Sequence, residues 1–167
     1  GAFEVRDYAA SIVAETEVSG ERKEAINQGF RNIAGYIFGD NVAAEKVAMT
    51  APVTQQASAT IAMTAPVTQQ GSGGKWKVRF VMPASYKLET LPKPKNNAVT
   101  LTAIPAKRFA VVRFTGTAND ESLRQQMSEL QDFMKAQHMN AIAEPVYAFY
   151  NPPWTLPFLR RNEVMIE

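Results

Sequence analysis

Few residues in this chain could do acid–base or nucleophilic chemistry. There is one histidine, His138, and no cysteine. A Cys/His pair, a thiolate metal site and a disulfide are therefore excluded, and a Ser/His/Asp triad would have to use His138. That residue closes a segment of helical period, where the helix dipole favours an exposed imidazole, and nothing near it points to catalysis. Gly71-Ser-Gly-Gly74 lacks both the spacing and the following helix of a phosphate loop. No catalytic residue is assigned, and the balance is against an enzyme. Lys75, Lys77 and Arg79 alternate along one strand and read as a solvated basic face. The segment Asn151-Pro-Pro-Trp-Thr-Leu-Pro-Phe158 is different. So much apolar surface in an irregular stretch either packs down as a lid or presents a binding surface.

The elements that must position these groups follow from periodicity. Phe3–Tyr8 and Ser11–Val18 read as strands. Glu21–Phe38 has helical period, with Ile26, Phe30, Ile33 and Ile37 on one face, Ser19 as N-cap and Gly39 past its end. The nonapeptide Ala-Met-Thr-Ala-Pro-Val-Thr-Gln-Gln then occurs twice, at Ala48–Gln56 and Ala62–Gln70. Chain reversal about Ser58 predicts a hairpin with Met49 opposite Val67, Ala51 opposite Ala65 and Val53 opposite Met63, all on one buried face. Lys75–Met82 is the next strand, with Trp76, Val78, Phe80 and Met82 on its inner side. Leu91–Asn97 is a proline-stiffened connector. Beyond it, Val99–Ala103 and Arg108–Phe114 read as strands and Glu121–Met139 as a helix. That helix carries Leu123, Met127, Leu130 and Met134 on one face, behind a capping-box pattern at Thr117–Asp120. Glu144–Tyr150 and Asn162–Ile166 close the chain as strands. The order strand, helix, strands thus appears twice, in pseudo-halves of about residues 3–90 and 97–167 of one domain spanning 1–167. An α+β domain with two helices on a largely antiparallel sheet is expected.

Composition narrows the partners. A net charge of +2, with no Lys/Arg stripe, argues against nucleic acid and leaves room for a small anionic ligand. No apolar run reaches membrane-spanning length. A monomer is expected. The start at Gly1-Ala2 leaves both cytoplasm and periplasm open, the latter after removal of a leader.

Several stretches together carry a resemblance. They are Phe3-Glu-Val-Arg-Asp-Tyr8, Gly35-Tyr-Ile-Phe-Gly-Asp-Asn41 and Lys46-Val-Ala-Met-Thr-Ala-Pro-Val53. To these are added Phe80-Val-Met-Pro83, Tyr150-Asn-Pro-Pro153 and Arg160-Arg-Asn-Glu-Val164. In these the chain resembles the SOUL heme-binding protein family, and the doubled Met-Thr-Ala-Pro-Val is similar to bacterial members. The resemblance implies a distorted antiparallel β-barrel built from two pseudo-repeated strand–helix–strands halves with two flanking helices. That architecture is similar to the GyrI-like effector-binding domains.

The resemblance also implies a ligand: heme or another tetrapyrrole, or more generally a small hydrophobic molecule, held in an apolar cleft. Mapped here, the cleft takes Phe30, Ile33, Ala34 and Ile37 from the first helix. Trp154, Leu156 and Phe158 come from the late loop, and Arg31, Arg160 and Arg161 are candidate partners for propionates. Some animal members carry a candidate ligand histidine where this chain has Asp7, in Arg6-Asp7-Tyr8. Binding without strong axial ligation is therefore expected, and no metal ligand is assigned. Met49 and Met63, conceivable iron ligands, read as gap-fillers of the hairpin's buried face. Two other readings stay open. One is a GyrI-like module for a different small molecule; the other is a weak hydrolase. Glu163 is the acid to watch, since some GyrI-like domains use a buried glutamate for cationic ligands or hydrolysis; its alternative is a salt bridge to a neighbouring arginine.

Overall fold

The computed structural model describes residues 1–42, 60–61, 66–152 and 154–167. Its strands are β1 (Ala2–Tyr8), β2 (Ser11–Ser19), β3 (Asn41–Val42), β4 (Val67–Ser72), β5 (Lys75–Val81), β6 (Lys93–Pro94), β7 (Val99–Ile104), β8 (Lys107–Phe114), β9 (Val146–Phe149) and β10 (Asn162–Ile166). The helices are α1 (Arg22–Ile37) and α2 (Asp120–Ala136). Eight strands form one sheet in the order β1-β8-β10-β9-β4-β5-β2-β7, and β3 pairs with β6. Neighbouring strands in the sheet are antiparallel.

The expected doubling is visible in this order. β2-α1-β4-β5 and β8-α2-β9-β10 are two like units, joined where β4 pairs with β9. Each unit is completed by a strand from outside it: β1 lies beside β8, and β7 beside β2. Among the described residues the end strands β1 and β7 are not paired with each other.

Alternation along the strands puts both helices on the same sheet face. Ile33, Tyr36 and Ile37 of α1 pack with Ala14, Val78, Phe80 and Val99. Leu123, Leu130 and Met134 of α2 pack with Ala110, Val112, Phe114, Val164 and Ile166. The opposite face has a smaller apolar strip of Val111, Val146, Ala148 and Met165, flanked by Tyr8, Phe109 and Tyr150. Arg22, buried at the start of α1, ties the units together. Its Nε donates to Asp120 Oδ1 at 2.6 Å and its Nη2 to the Ala118 carbonyl at 3.2 Å.

Local details differ from expectation at three places. The cap of α2 is Asn119, whose Oδ1 accepts from the Ser122 amide at 2.8 Å; Thr117 instead offers its carbonyl to the Ser122 hydroxyl. Glu21, not Ser19, occupies the N-cap of α1 and makes no side-chain cap bond. Gly39 does take positive φ, at 124°. Val67–Gln70 are strand as expected, but β4 has β5 on one side and β9 on the other. Both neighbours of Val67 are thus supplied by Phe80 and Phe149, and its expected pairing with Met49 is corrected. The rest of that hairpin, Met49, Ala51, Val53, Met63 and Ala65 included, lies outside the described residues. Ile61 is buried with α1 and donates its amide to the Ile37 carbonyl.

Candidate functional site

On the helix-free face, Glu163 of β10 is fully buried. Arg6 of β1 meets it with two parallel bonds, Nη1 to Oε2 and Nη2 to Oε1, each 2.9 Å. Arg161 adds Nε and Nη2 to Oε1 at 3.0 and 2.7 Å. The Tyr150 hydroxyl donates to Oε2 at 2.8 Å. Arg6 also reaches Glu4 and, at 3.0 Å, the Tyr8 hydroxyl. The Arg161 guanidinium lies 4.2 Å from the centre of the Tyr150 ring, at cation–π distance. Register makes this cluster: Arg6 and Tyr8 share a face of β1 by spacing of two, and β8 lies between β1 and β10.

Opposing forces act on the carboxyl. Burial pushes Glu163 up, but the bonds from Arg6, Arg161 and Tyr150 together win, holding it below the ordinary carboxylate range. Burial first, and then the bond to Glu163, push the Tyr150 phenol up. A carboxylate with a lowered pKa and both oxygens taken by cationic donors is a poor general base. The neighbouring-arginine salt bridge foreseen for Glu163 is present. Arg6 and Tyr150 were not foreseen as its partners, nor Tyr8 as a partner of Arg6; the alternation of Arg6 and Tyr8 was the available signal, but their strand's neighbour was not.

Beside this cluster is a cavity of about 620 Å³ that Arg113, Gln126, Leu159, Arg160 and Arg161 help to line. Arg113 stands opposite Glu163 in the β8–β10 register. The Gln126 Oε1 of α2 is buried with no hydrogen-bond partner among the described residues. The late loop leads directly into Leu159, Arg160 and Arg161 of that lining, and hydrogen bonds fix its course. The Gly116 amide donates to the Pro157 carbonyl at 2.9 Å, and Arg160 Nε to the Thr155 carbonyl at 2.7 Å. The Arg161 amide donates to Asn151 Oδ1 at 2.6 Å. Trp154, Leu156, Phe158 and Leu159 are exposed.

The residues expected to line the cleft fall into two sets. Trp154, Leu156, Phe158 and Arg160 are together on this loop, tied to Gly116 beyond the end of β8. Phe30, Ile33, Ala34 and Ile37 belong to α1, which rests on β2, β5 and β7 of the other unit. Ile33 and Ile37 are buried in the core, Ala34 is half-buried, and Phe30 is exposed with its ring 5.6 Å from that of Phe80. Arg31 is exposed on α1 and donates to Gln28 at 2.8 Å. Asp7 is exposed and paired with Arg108 at 2.6 Å, which holds its carboxyl below the usual range. His138 is exposed just after α2, with φ of 56°. On the basic strand, Arg79 pairs with Glu15, and Lys77 stands opposite Glu17. Among the described residues no three His, Asp or Glu side chains gather as a metal site would require. No described helix is long and apolar enough to cross a membrane.

The class this architecture defines is an α+β domain of two β-α-β-β units on one mostly antiparallel sheet. It is shared with solved structures of low identity. The C-terminal domain of EcmrR superposes with TM-score 0.71 at 11% identity, over 99% of this chain and 95% of that one. A hydrolase from Listeria innocua gives 0.62 at 10%, over 98% and 90%. SAV2435 bound to tetraphenylphosphonium gives 0.51 at 9%, over 99% and 96%. At such identities the likeness is one of fold. No curated protein matches the chain. The family is decided by sequence: residues 1–167 match the SOUL heme-binding protein family, and the chain belongs to it.

Proposed function

We propose that the protein binds a tetrapyrrole, heme or a metal-free porphyrin, through apolar contact and paired carboxylates rather than axial ligation. One observation carries this reading: the loop that exposes Trp154, Leu156 and Phe158 runs on into Leu159, Arg160 and Arg161, which with Arg113 line a cavity. An aromatic macrocycle would lie on the apolar side chains, and its propionates would meet Arg113 and the outer part of Arg161. Family membership supports the ligand class. The residues fit the ring and its acids better than they fit iron. Asp7 stands at the candidate ligand position and is engaged by Arg108, and His138 follows α2, outside the loop. Phe30 and Ala34 would extend the apolar surface only if the ligand also reached α1.

Titration of hemin and of protoporphyrin IX, followed by the Soret band and tryptophan quenching, tests this. Comparable micromolar affinities are expected for both, because iron ligation contributes little. Trp154→Ala combined with Phe158→Ala should weaken binding about tenfold. Absence of any spectral change at micromolar ligand, or binding of hemin alone with a six-coordinate spectrum, would sink the proposal.

The runner-up is a small-molecule binding module for another amphipathic compound, favoured by the fold it shares with EcmrR and SAV2435. A thermal-shift screen that ranks such compounds above hemin would support it. A hydrolase centred on Glu163 is disfavoured by the bonds that occupy both carboxylate oxygens. If Glu163→Gln abolished a measured hydrolytic activity while preserving the fold, that judgement would be reversed.

A further inference from the structure

The late loop exposes four large apolar side chains. Trp154 is 83% exposed, Phe158 68%, Leu159 61% and Leu156 55%. These four lie within six residues, on a backbone pinned by the Gly116–Pro157 bond and a 3-10 turn at Pro157–Leu159. The backbone of this tip is held in place while its apolar side chains are at the surface. The stretches of chain that form the tip carry charge of one sign, and Glu4 of β1, the acid that interacts with Arg113, is bonded to Arg6. Pro145–Asn162 contains no Asp or Glu, nor does Pro105–Asn119, the strand and turn against which the loop is bonded. Glu163, the nearest acid in sequence, is buried and neutralised by Arg6 and Arg161. Arg113 is exposed, and the Arg161 side chain remains 43% exposed despite its bonds to Glu163.

We propose that this tip docks on an anionic lipid surface, with Trp154, Leu156, Phe158 and Leu159 entering the interfacial layer and Arg113 and Arg161 facing the headgroups. A Trp and neighbouring Leu and Phe side chains beside cations are the composition that the membrane–water interface favours. Self-association through the same tip fits less well, because a two-fold contact would bring its arginines against their own copies. The proposal goes beyond tetrapyrrole binding and does not depend on it, since the protein is tested without porphyrin.

The test is co-sedimentation and tryptophan emission with vesicles of phosphatidylcholine alone and of phosphatidylcholine with phosphatidylglycerol. Binding at least about tenfold stronger to the anionic vesicles is expected, weakening as salt is raised. The emission should shift to the blue in Trp76→Phe and not in Trp154→Ala. Phe158→Ser and Arg113→Glu replace exposed side chains, so both should keep the native circular dichroism spectrum while losing vesicle binding about fivefold or more. Failure of the unaltered protein to bind anionic vesicles at millimolar lipid would overturn the proposal. So would undiminished binding by the folded Phe158→Ser and Trp154→Ala variants, or loop-dependent dimerisation without vesicle binding.

Discussion

Removing the charge of Glu163 leaves the guanidiniums of Arg6 and Arg161 without the partner around which they are arranged. Breaking a fully buried pair in this way costs about 3–5 kcal/mol. The Arg6 and Arg161 side chains are 19% and 43% exposed, so water relieves part of the loss. Glu163→Gln should therefore destabilise by about 2–3 kcal/mol, read as a lower urea midpoint at unchanged m-value. A change below half a kilocalorie would show that the cluster is energetically idle. The pH dependence has a definite sign. Glu163 titrates lower in the folded chain than in the unfolded one, where about 4.3 is usual. Its stabilisation is complete above that value and is lost as pH falls through the folded pKa. Urea midpoints measured from pH 7 down to pH 3 should fall less steeply in Glu163→Gln than in the unaltered protein. Equal slopes would count against this assignment.

At the scale of the elements, α1 owes its close seat on β5 to a glycine. A methyl group at Gly29 would come within 2.5 Å of the Val78 side chain, which is itself buried. Helix propensity alone predicts that Gly29→Ala gains about 1 kcal/mol. Overpacking costs about 1–3 kcal/mol, so a net loss is expected in thermal melts. A raised Tm would mean that the helix shifts freely on the sheet. In α2, Asn119 satisfies the Ser122 amide, and Asn119→Ala should cost about 1 kcal/mol in the same measurement. Thr117→Ala should cost less, since only the carbonyl of Thr117 is used. The reverse ranking would restore the threonine as the cap.

The whole molecule is held by strands that cross between its halves. β1 pairs with β8, β2 with β7 and β4 with β9, so neither half contains its own complete sheet. A fragment of residues 1–95 would present the edges of β1, β2 and β4 unpaired, and unpaired edges neither bury their apolar face nor satisfy their backbone. Such a fragment is expected to melt without a cooperative transition, and mixing it with 96–167 should restore one. A dispersed amide spectrum and a sharp melt from the fragment alone would contradict this.

Much was legible from the chain because periodicity is local. The period of α2, the alternation of β5 and the repeated order of elements each follow from side-chain direction along a single element. The apolar loop and the pairing of Glu163 with Arg161 were within reach too, one from composition and the other from adjacency. What sequence distance concealed was decided by register. Arg6 lies 157 positions from Glu163, yet two strand pairings place its guanidinium on that carboxylate. Val67 looked like a hairpin partner for Met49, but β9, nearly eighty residues further on, takes that side of the strand. The same long-range pairing assigned Trp154, Leu156 and Phe158 to one unit and Ile33 and Ile37 to the core of the other. Local sequence determined which faces are apolar and which residues carry charge. Only the closing of non-local strand pairs decided which of them meet, because each pairing is selected by the burial of whole faces and not by the residues nearest in the chain.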